Sequence, residues 1–262
     1  MIRLEDIGIN KSDNIKHLAN LTPSYSFEFD SLTSVVKTII SSEHRTIPIV
    51  SKSQEIVGII SYMDILNALL RGVSRNIRIS DFMTRDMVLT EDTDSIGQAL
   101  QKIKISRRDC LPVVKNKKLL GMVTEHDFVK LLTSKYFGIP VVEVMSHKPF
   151  YITPNTSIKN CIKTMVNTHY RRLPIVNDRM VIGIVTGHDV LRYLNEVNYN
   201  TSLLDENVES IMTSPIMYIN EHDDVSNAIK LMNDNKIGGI PVIDEGSRLK
   251  GIITERDIIE LL

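Results

Sequence analysis

The 262-residue sequence contains no tryptophan and only 5% aromatic residues. It is therefore short of the ring faces on which single-stranded nucleic acids stack. Cysteine is nearly as scarce, with Cys110 and Cys161 in apolar segments far apart in the chain. Two such residues do not make a disulfide framework or a metal site, and a reducing, cytoplasmic location is the expectation. A surplus of positive charge is also missing: the formal net charge is −1. Phosphate-backbone binding draws on excess Lys and Arg, so nucleic acid is not an expected partner. No run approaches the roughly 18 apolar residues that a membrane span requires. The N-terminal stretch MIRLEDIGINKSD has no apolar core of a secretory signal. Hydrophobic content of 42% and charged content of 24% are those of an ordinary globular protein.

What the chain does have is one unit repeated four times. Aligned on Pro48, Pro112, Pro174 and Pro241, the copies are spaced by 64, 62 and 67 residues. A glycine follows each proline by nine or ten positions (Gly58, Gly121, Gly183, Gly251), and an aspartate follows each glycine by six (Asp64, Asp127, Asp189, Asp257). The resulting strings are GIISYMD, GMVTEHD, GIVTGHD and GIITERD. Upstream, Met83, Met145 and Met212 keep the same register, and Leu21 takes that position in the first copy. The reading is a leader at 1–13 and repeats at 14–72, 73–135, 136–197 and 198–262. No stretch is left for a separate catalytic domain, so an enzyme is not expected.

Each repeat has the same local pattern. The pieces VLT, YIT and YIN (88–90, 151–153, 218–220) are short and β-prone. An amphipathic run follows: after Ser157, the residues Ile158, Cys161, Ile162, Met165 and Val166 fall on one helical face. Two apolar segments around a polar turn then read as a hairpin, and DILNALL, DFVKLLT, DVLRYLN and DIIELL as a second helix. The expected fold is mixed α/β (α+β), built from β-α-β-β-α units of about 60 residues. Such a unit is too thin to fold well alone. The units are expected to pack in pairs, first with second (14–135) and third with fourth (136–262), with connectors near 133–140 and 195–207. The 11 methionines read as gap-filling core residues.

The recurrent Ser/Thr-x-x-Asp (Ser61/Asp64, Thr124/Asp127, Thr186/Asp189, Thr254/Asp257) has the form of a helix N-cap. It also follows a strand directly, and a helix N-terminus at a strand end suits a phosphate, with an Asp able to accept ribose hydroxyls. The two roles are compatible. Just before the prolines stand His44 and Arg45, Arg171 and Arg172, but Asp109 in the second copy and Gly238-Gly239 in the fourth. The basic residues are candidate phosphate ligands or simply solvated charges. The glycine pair would let a flat ring or a phosphate approach the backbone. His126, His188 and Arg256 precede the motif aspartates. With no third ligand at a fixed spacing they suggest positive charge near a phosphate rather than a metal.

The Pro-x-Val…Gly-h-h-Ser/Thr-x-x-Asp pattern, four times in register over residues 14–262, resembles the CBS (cystathionine-β-synthase) domain. YRRLPIV and GIITERDII carry a likeness to four-copy members, the γ regulatory subunit of AMP-activated protein kinase and stand-alone archaeal proteins. The resemblance implies two CBS pairs, or Bateman modules, in a flat pseudo-symmetric disc, with adenosine derivatives in the clefts between paired units. By position it implies ribose contacts from Asp64, Asp127, Asp189 and Asp257, and ribose or phosphate contacts from Ser61, Thr124, Thr186 and Thr254. It implies phosphate contacts from His44, Arg45, Arg171 and Arg172, and pocket walls from Thr90 and Thr153. Gly239, and Arg256 or Lys236 in compensation for Gly238, complete the set. The departures at Asp109 and Gly238 lower the expectation to two or three occupied sites.

The function this implies is a non-catalytic sensor of AMP, ADP or ATP that signals to an effector protein such as a kinase, transporter or enzyme. The competing reading is a protein-interaction scaffold, or a sensor of another adenosyl ligand such as S-adenosylmethionine. The basic residues before the prolines favour phosphates over a sulfonium. A homodimer is compatible with either.

Overall fold

In the computed structural model, which describes residues 2–74, 76–133 and 135–262, the repeats are built as the pattern predicts. The first comprises β1 (Ser26–Phe27), α1 (Leu32–Ser42), β2 (Thr46–Val50), β3 (Ile56–Ser61) and α2 (Tyr62–Leu70). The second comprises β4 (Thr90–Glu91), α3 (Ile96–Ser106), β5 (Cys110–Lys115), β6 (Lys118–Thr124) and α4 (Glu125–Lys130). The third repeat opens with the short strand β7 (Ser146–His147), followed by α5 (Ile158–Thr168), β8 (Arg172–Asn177), β9 (Met180–Thr186) and α6 (Gly187–Glu196). Here the first strand is reduced to a single parallel bridge between Ile152 and Ile175. The fourth has β10 (Ile219–Asn220), α7 (Val225–Asn235), β11 (Gly239–Ile243), β12 (Leu249–Thr254) and α8 (Glu255–Leu261).

Local chemistry explains these boundaries. Side chains of Ser31, Ser95, Ser157 and Asp224 accept from backbone N–H groups in the first turns of α1, α3, α5 and α7. The same four helices end on non-glycine residues in the left-handed region: Glu43 (φ 57°), Arg107 (53°), His169 (59°) and Lys236 (53°). This turn sends the chain straight into the strand that carries the proline. In each hairpin the proline strand pairs antiparallel with the glycine strand, for example Thr46 with Ser61 and Ile49 with Gly58.

Two compact units result, each drawing on two repeats. One comprises residues 1–23, 88–149 and 217–262, the other 24–87 and 150–216. The first unit buries Leu111, Val123 and Phe128 of the second repeat with Ile240, Ile253 and Ile258 of the fourth. The second unit buries Ile47, Ile60 and Leu66 of the first repeat with Cys161, Leu173 and Leu191 of the third. Within each unit the hydrophobic core joins alternate repeats. The physical reason lies at the second helices. Among the N-terminal residues of α2 and α6, the Tyr62 ring fills the space left by the missing side chain of Gly187. Among those of α4 and α8, two acids meet two bases, as described below.

Consecutive repeats are tied in another way: they exchange their upstream segments. Asn14 bridges to Ser95, Arg78 to Ser31, Pro140 to Asp224 and Asn207 to Ser157. The residues that follow, Ile15, Ile79, Val141 and Val208, are fully buried. So the opening segment of the first repeat packs on the second, and the opening segment of the second packs on the first. The third and fourth repeats make the same reciprocal exchange. Residues 2–13 join in, since Leu4 is buried in the core of the first unit and Ile2 N–H donates to the Leu261 carbonyl over 2.6 Å.

The exchange accounts for the in-register methionines and the motif glycines. A Cβ on Gly58 would lie 2.6 Å from Met83 Sδ, and one on Gly183 2.7 Å from Met212 Sδ. Gly251 faces Met145 in the same manner. At Gly121 the obstacle is backbone, with the Asn20 carbonyl oxygen 2.7 Å from the added carbon. That segment is held there by reciprocal Asn20–Met122 hydrogen bonds of 2.8 and 2.9 Å. A thioether can swing aside and a paired backbone cannot. Gly121→Ala is therefore expected to cost about 1–3 kcal/mol, the usual range for overpacking, and Gly58→Ala clearly less. Denaturant midpoints of the two variants test this, and equal losses would contradict it.

Candidate functional site

The hairpin register brings the two sequence signals together at one end of every repeat. Thr46 lies across from Ser61, Cys110 from Thr124, Arg172 from Thr186 and Gly239 from Thr254. The carbonyls of Arg45, Asp109, Arg171 and Gly238 each accept from the first N–H of the following helix, at 2.9–3.3 Å. The residues before the proline and the Ser/Thr-x-x-Asp box are thus neighbours, although some 15 residues separate them in the chain.

The box itself is a full capping box in all four repeats. Asp189 Oδ2 accepts from Thr186 N–H at 2.8 Å and from its Oγ1 at 2.7 Å. Asp64, Asp127 and Asp257 repeat the arrangement within 0.1 Å. The shorter Asp reaches as well as Glu would because the hydroxyl also donates to the same oxygen. Capping therefore occupies Oδ2, and what remains for a ligand is Oδ1.

Here the repeats divide. Among the described residues no hydrogen bond or ion pair reaches Oδ1 of Asp64 or Asp189. Asp257 Oδ1 accepts from Ser146 Oγ at 3.1 Å, and Asp127 Oδ1 lies 3.8 Å from Lys130 Nζ. Burial pushes the Asp257 carboxyl above its ordinary range, against the pull of the Thr254 and Ser146 donors. The first and third repeats are also those with His44 and Arg45, or Arg171 and Arg172, beside the box. An open carboxylate oxygen and adjacent cations coincide in one unit. Nearby Cys161 is free and buried, and burial, with Asp189 adding its charge, pushes its thiol up to about 12. It is a core residue rather than a nucleophile.

Other expected site residues have different employment. Arg256 does not stand open to a phosphate. Its guanidinium lies 2.6 Å from Glu125, 3.8 Å from Glu260, and donates to the Ile103 and Arg108 carbonyls at 3.2 and 2.9 Å. His126 Nδ1 is likewise 2.9 Å from Glu255. Glu125 and Glu255, at 5% and 1% exposure, open α4 and α8, so the two helix starts exchange acid for base. Thr90 is fully buried and its hydroxyl donates to Asp94 at 2.8 Å, which removes it from any pocket wall. Thr153 is exposed and its hydroxyl meets that of Thr156 at 3.3 Å. Gly239 opens β11 opposite Thr254.

The structure adds a feature the low aromatic content concealed. Phe150 and Tyr170, both about half exposed, stand with ring centroids 5.8 Å apart. Tyr170 immediately precedes Arg171. The string YRRLP carries the signal, with an aromatic residue directly before the two arginines. Among the described residues no group of three or more His, Cys, Asp or Glu could hold a metal ion, and no helix is long and apolar enough to cross a membrane.

A family model described as the CBS domain matches residues 23–71, 79–134, 141–196 and 208–262. Protein MJ1225 of Methanocaldococcus jannaschii is 24% identical over 256 residues, covering 88% of this chain and 91% of its own. Its crystal structure superposes with a TM-score of 0.87 over 95% of this chain and 99% of the other. A Pyrococcus horikoshii protein at 21% identity has a TM-score of 0.65, again over 95% and 99%. A CBS domain-containing protein of Dictyostelium discoideum is 33% identical over 130 residues, 47% of this chain and 90% of its own.

Proposed function

The chain belongs to the CBS-domain family, and from that premise we propose that it is a non-catalytic sensor of adenine nucleotides, AMP, ADP or ATP, acting on an effector protein. The observation that carries this reading is the coincidence, in the first and third repeats, of basic residues with a box aspartate whose Oδ1 is uncommitted. A ribose offers two hydroxyl donors to that oxygen, and the adjacent cations suit the phosphates. Phe150 and Tyr170 give a purine ring faces in the third repeat. MJ1225, whose structure is described as that of a proposed archaeal homologue of γ-AMPK, is consistent with this reading. The reciprocal exchange of leaders supports 14–135 and 136–262 as the two Bateman modules. The second and fourth repeats, with Asp109 and Gly238 in place of the cations and with Oδ1 engaged or approached, are weaker sites.

Calorimetric titration with AMP and then ATP, at near-physiological salt, tests the proposal. Saturable binding at two sites is expected. Absence of heat and of any thermal shift with either nucleotide would overturn it. Stabilisation by S-adenosylmethionine alone would replace nucleotides with a phosphate-free adenosyl ligand.

A further inference from the structure

At the opposite end of the first repeat's hairpin lies a groove that the nucleotide reading does not use. Val50 pairs with Ile56 there, four residues along β2 from the Thr46–Ser61 pair. That places the groove roughly 13 Å from the box at the ordinary strand rise. Its volume is about 460 Å³, and Glu28, Phe29, Ser51, Lys52, Ser53, Arg78 and Ser80 line it.

Each wall comes from a different segment. Phe29 follows β1 and is 45% exposed, with its ring stacked on Phe27 at 5.1 Å and 8°. Lys52 stands in the hairpin turn with Nζ 5.8 Å from the Phe29 ring centre. Arg78 and Ser80 belong to the exchanged leader, anchored by Ser80 N–H donating to the Glu28 carbonyl at 3.1 Å. Among the described residues neither Lys52 nor Arg78 has an ion-pair partner. The Ser51 and Ser53 hydroxyls bond each other at 2.8 Å, which leaves one of their protons for a ligand. The Ser80 hydroxyl donates to Asp81 at 3.1 Å and so presents only lone pairs.

We propose that this groove binds a small organic anion with a single acidic head and a flat apolar body. Two cations and a hydroxyl proton receive the head, and the face of Phe29 receives the body. Glu28 leaves the lining with a net charge of +1, which matches a carboxylate and disfavours a phosphoryl dianion. The corresponding positions of the other repeats lack this set. Those matching Phe29 are Thr93, Asn155 and His222, and those matching Arg78 are Pro140 and Asn207 in the third and fourth leaders.

Benzoate is the probe, followed through the backbone amide signals of Phe29, Ser53 and Ser80 in the full chain. Saturable shifts in the millimolar range are expected, with at least about fivefold weaker binding in Lys52→Gln and in Arg78→Gln, roughly 1 kcal/mol each. Benzamide, which keeps the ring and lacks the charge, should leave these signals in place. Glu28→Gln should improve binding of phenyl phosphate more than that of benzoate. Shifts that are absent, that benzamide reproduces, or that survive both cation substitutions would overturn the proposal. The Asp189→Ala/Arg172→Ala chain should respond to benzoate as the unaltered chain does, so failure here and failure of the nucleotide reading are separable.

Discussion

The double variant Asp189→Ala/Arg172→Ala is expected to lose one nucleotide-binding event outright. Asp189 would contribute Oδ1 to the ribose, and Arg172, across the ladder from Thr186, would meet a phosphate. Hydrogen bonds to charged groups are worth about 1.5–3 kcal/mol each. Losing two weakens binding by roughly two to four orders of magnitude and takes the site out of the calorimetric window. The difficulty is that Asp189 also caps α6, and the loss of a cap costs about 1 kcal/mol by itself. Asp127→Ala separates the two effects. It removes the same cap from the second repeat, where Asp109 stands in place of a cation. It should lower the denaturation midpoint about as much as Asp189→Ala while leaving the binding stoichiometry unchanged. An unaltered stoichiometry in the double variant would sink the assignment of the third repeat as a nucleotide site.

The repeat unit was legible because its information is local. Pro-to-Gly and Gly-to-Asp spacings encode a hairpin and a cap, and both depend on residues within about 20 positions of each other. The partnership of the repeats was not legible from the same signals, since apolar stripes on α2, α4, α6 and α8 look alike. What distinguishes them is a handful of residues at the helix starts. Tyr62 needs the vacancy at Gly187, and Glu125 and Glu255 need Arg256 and His126. These residues stood inside the quoted motif strings, but complementarity between strings is visible only once the helices meet. The leader exchange was half legible. Leu21, Met83, Met145 and Met212 align, yet alignment says that a position recurs, not which copy it packs against. A thioether fills whatever glycine it faces.

The candidate site shows the same division. The box aspartates and the basic residues were found from spacing, and the hairpin register brings them side by side. Which of them a ligand could use depended on second partners that spacing does not reveal. Ser146 reaches Asp257 across 111 residues, and Asp94 claims the Thr90 hydroxyl. Four copies with one motif therefore carry unequal candidate sites: two with an open Oδ1 and adjacent charge, and two whose Oδ1 is engaged or approached by another side chain.

Arg256→Met is expected to lower stability by about 3–5 kcal/mol and to leave nucleotide stoichiometry unchanged. Glu125 is 5% exposed, and Arg256 supplies its guanidinium at 2.6 Å. Removing one partner of a buried ion pair costs far more than the pair contributes as a whole. The same guanidinium also serves the carbonyls of Ile103 and Arg108, so two backbone acceptors lose a donor as well. The compensated variant Glu125→Met/Arg256→Met discards both charges and should recover much of the loss, because well-packed apolar side chains replace buried ion pairs at little net cost. Chemical denaturation of the parent, the single variants Arg256→Met and Glu125→Met, and the double variant gives the coupling between the two residues directly. A single variant as stable as the parent, with one nucleotide site missing, would instead return Arg256 to the phosphate role that its position beside Asp257 first suggested.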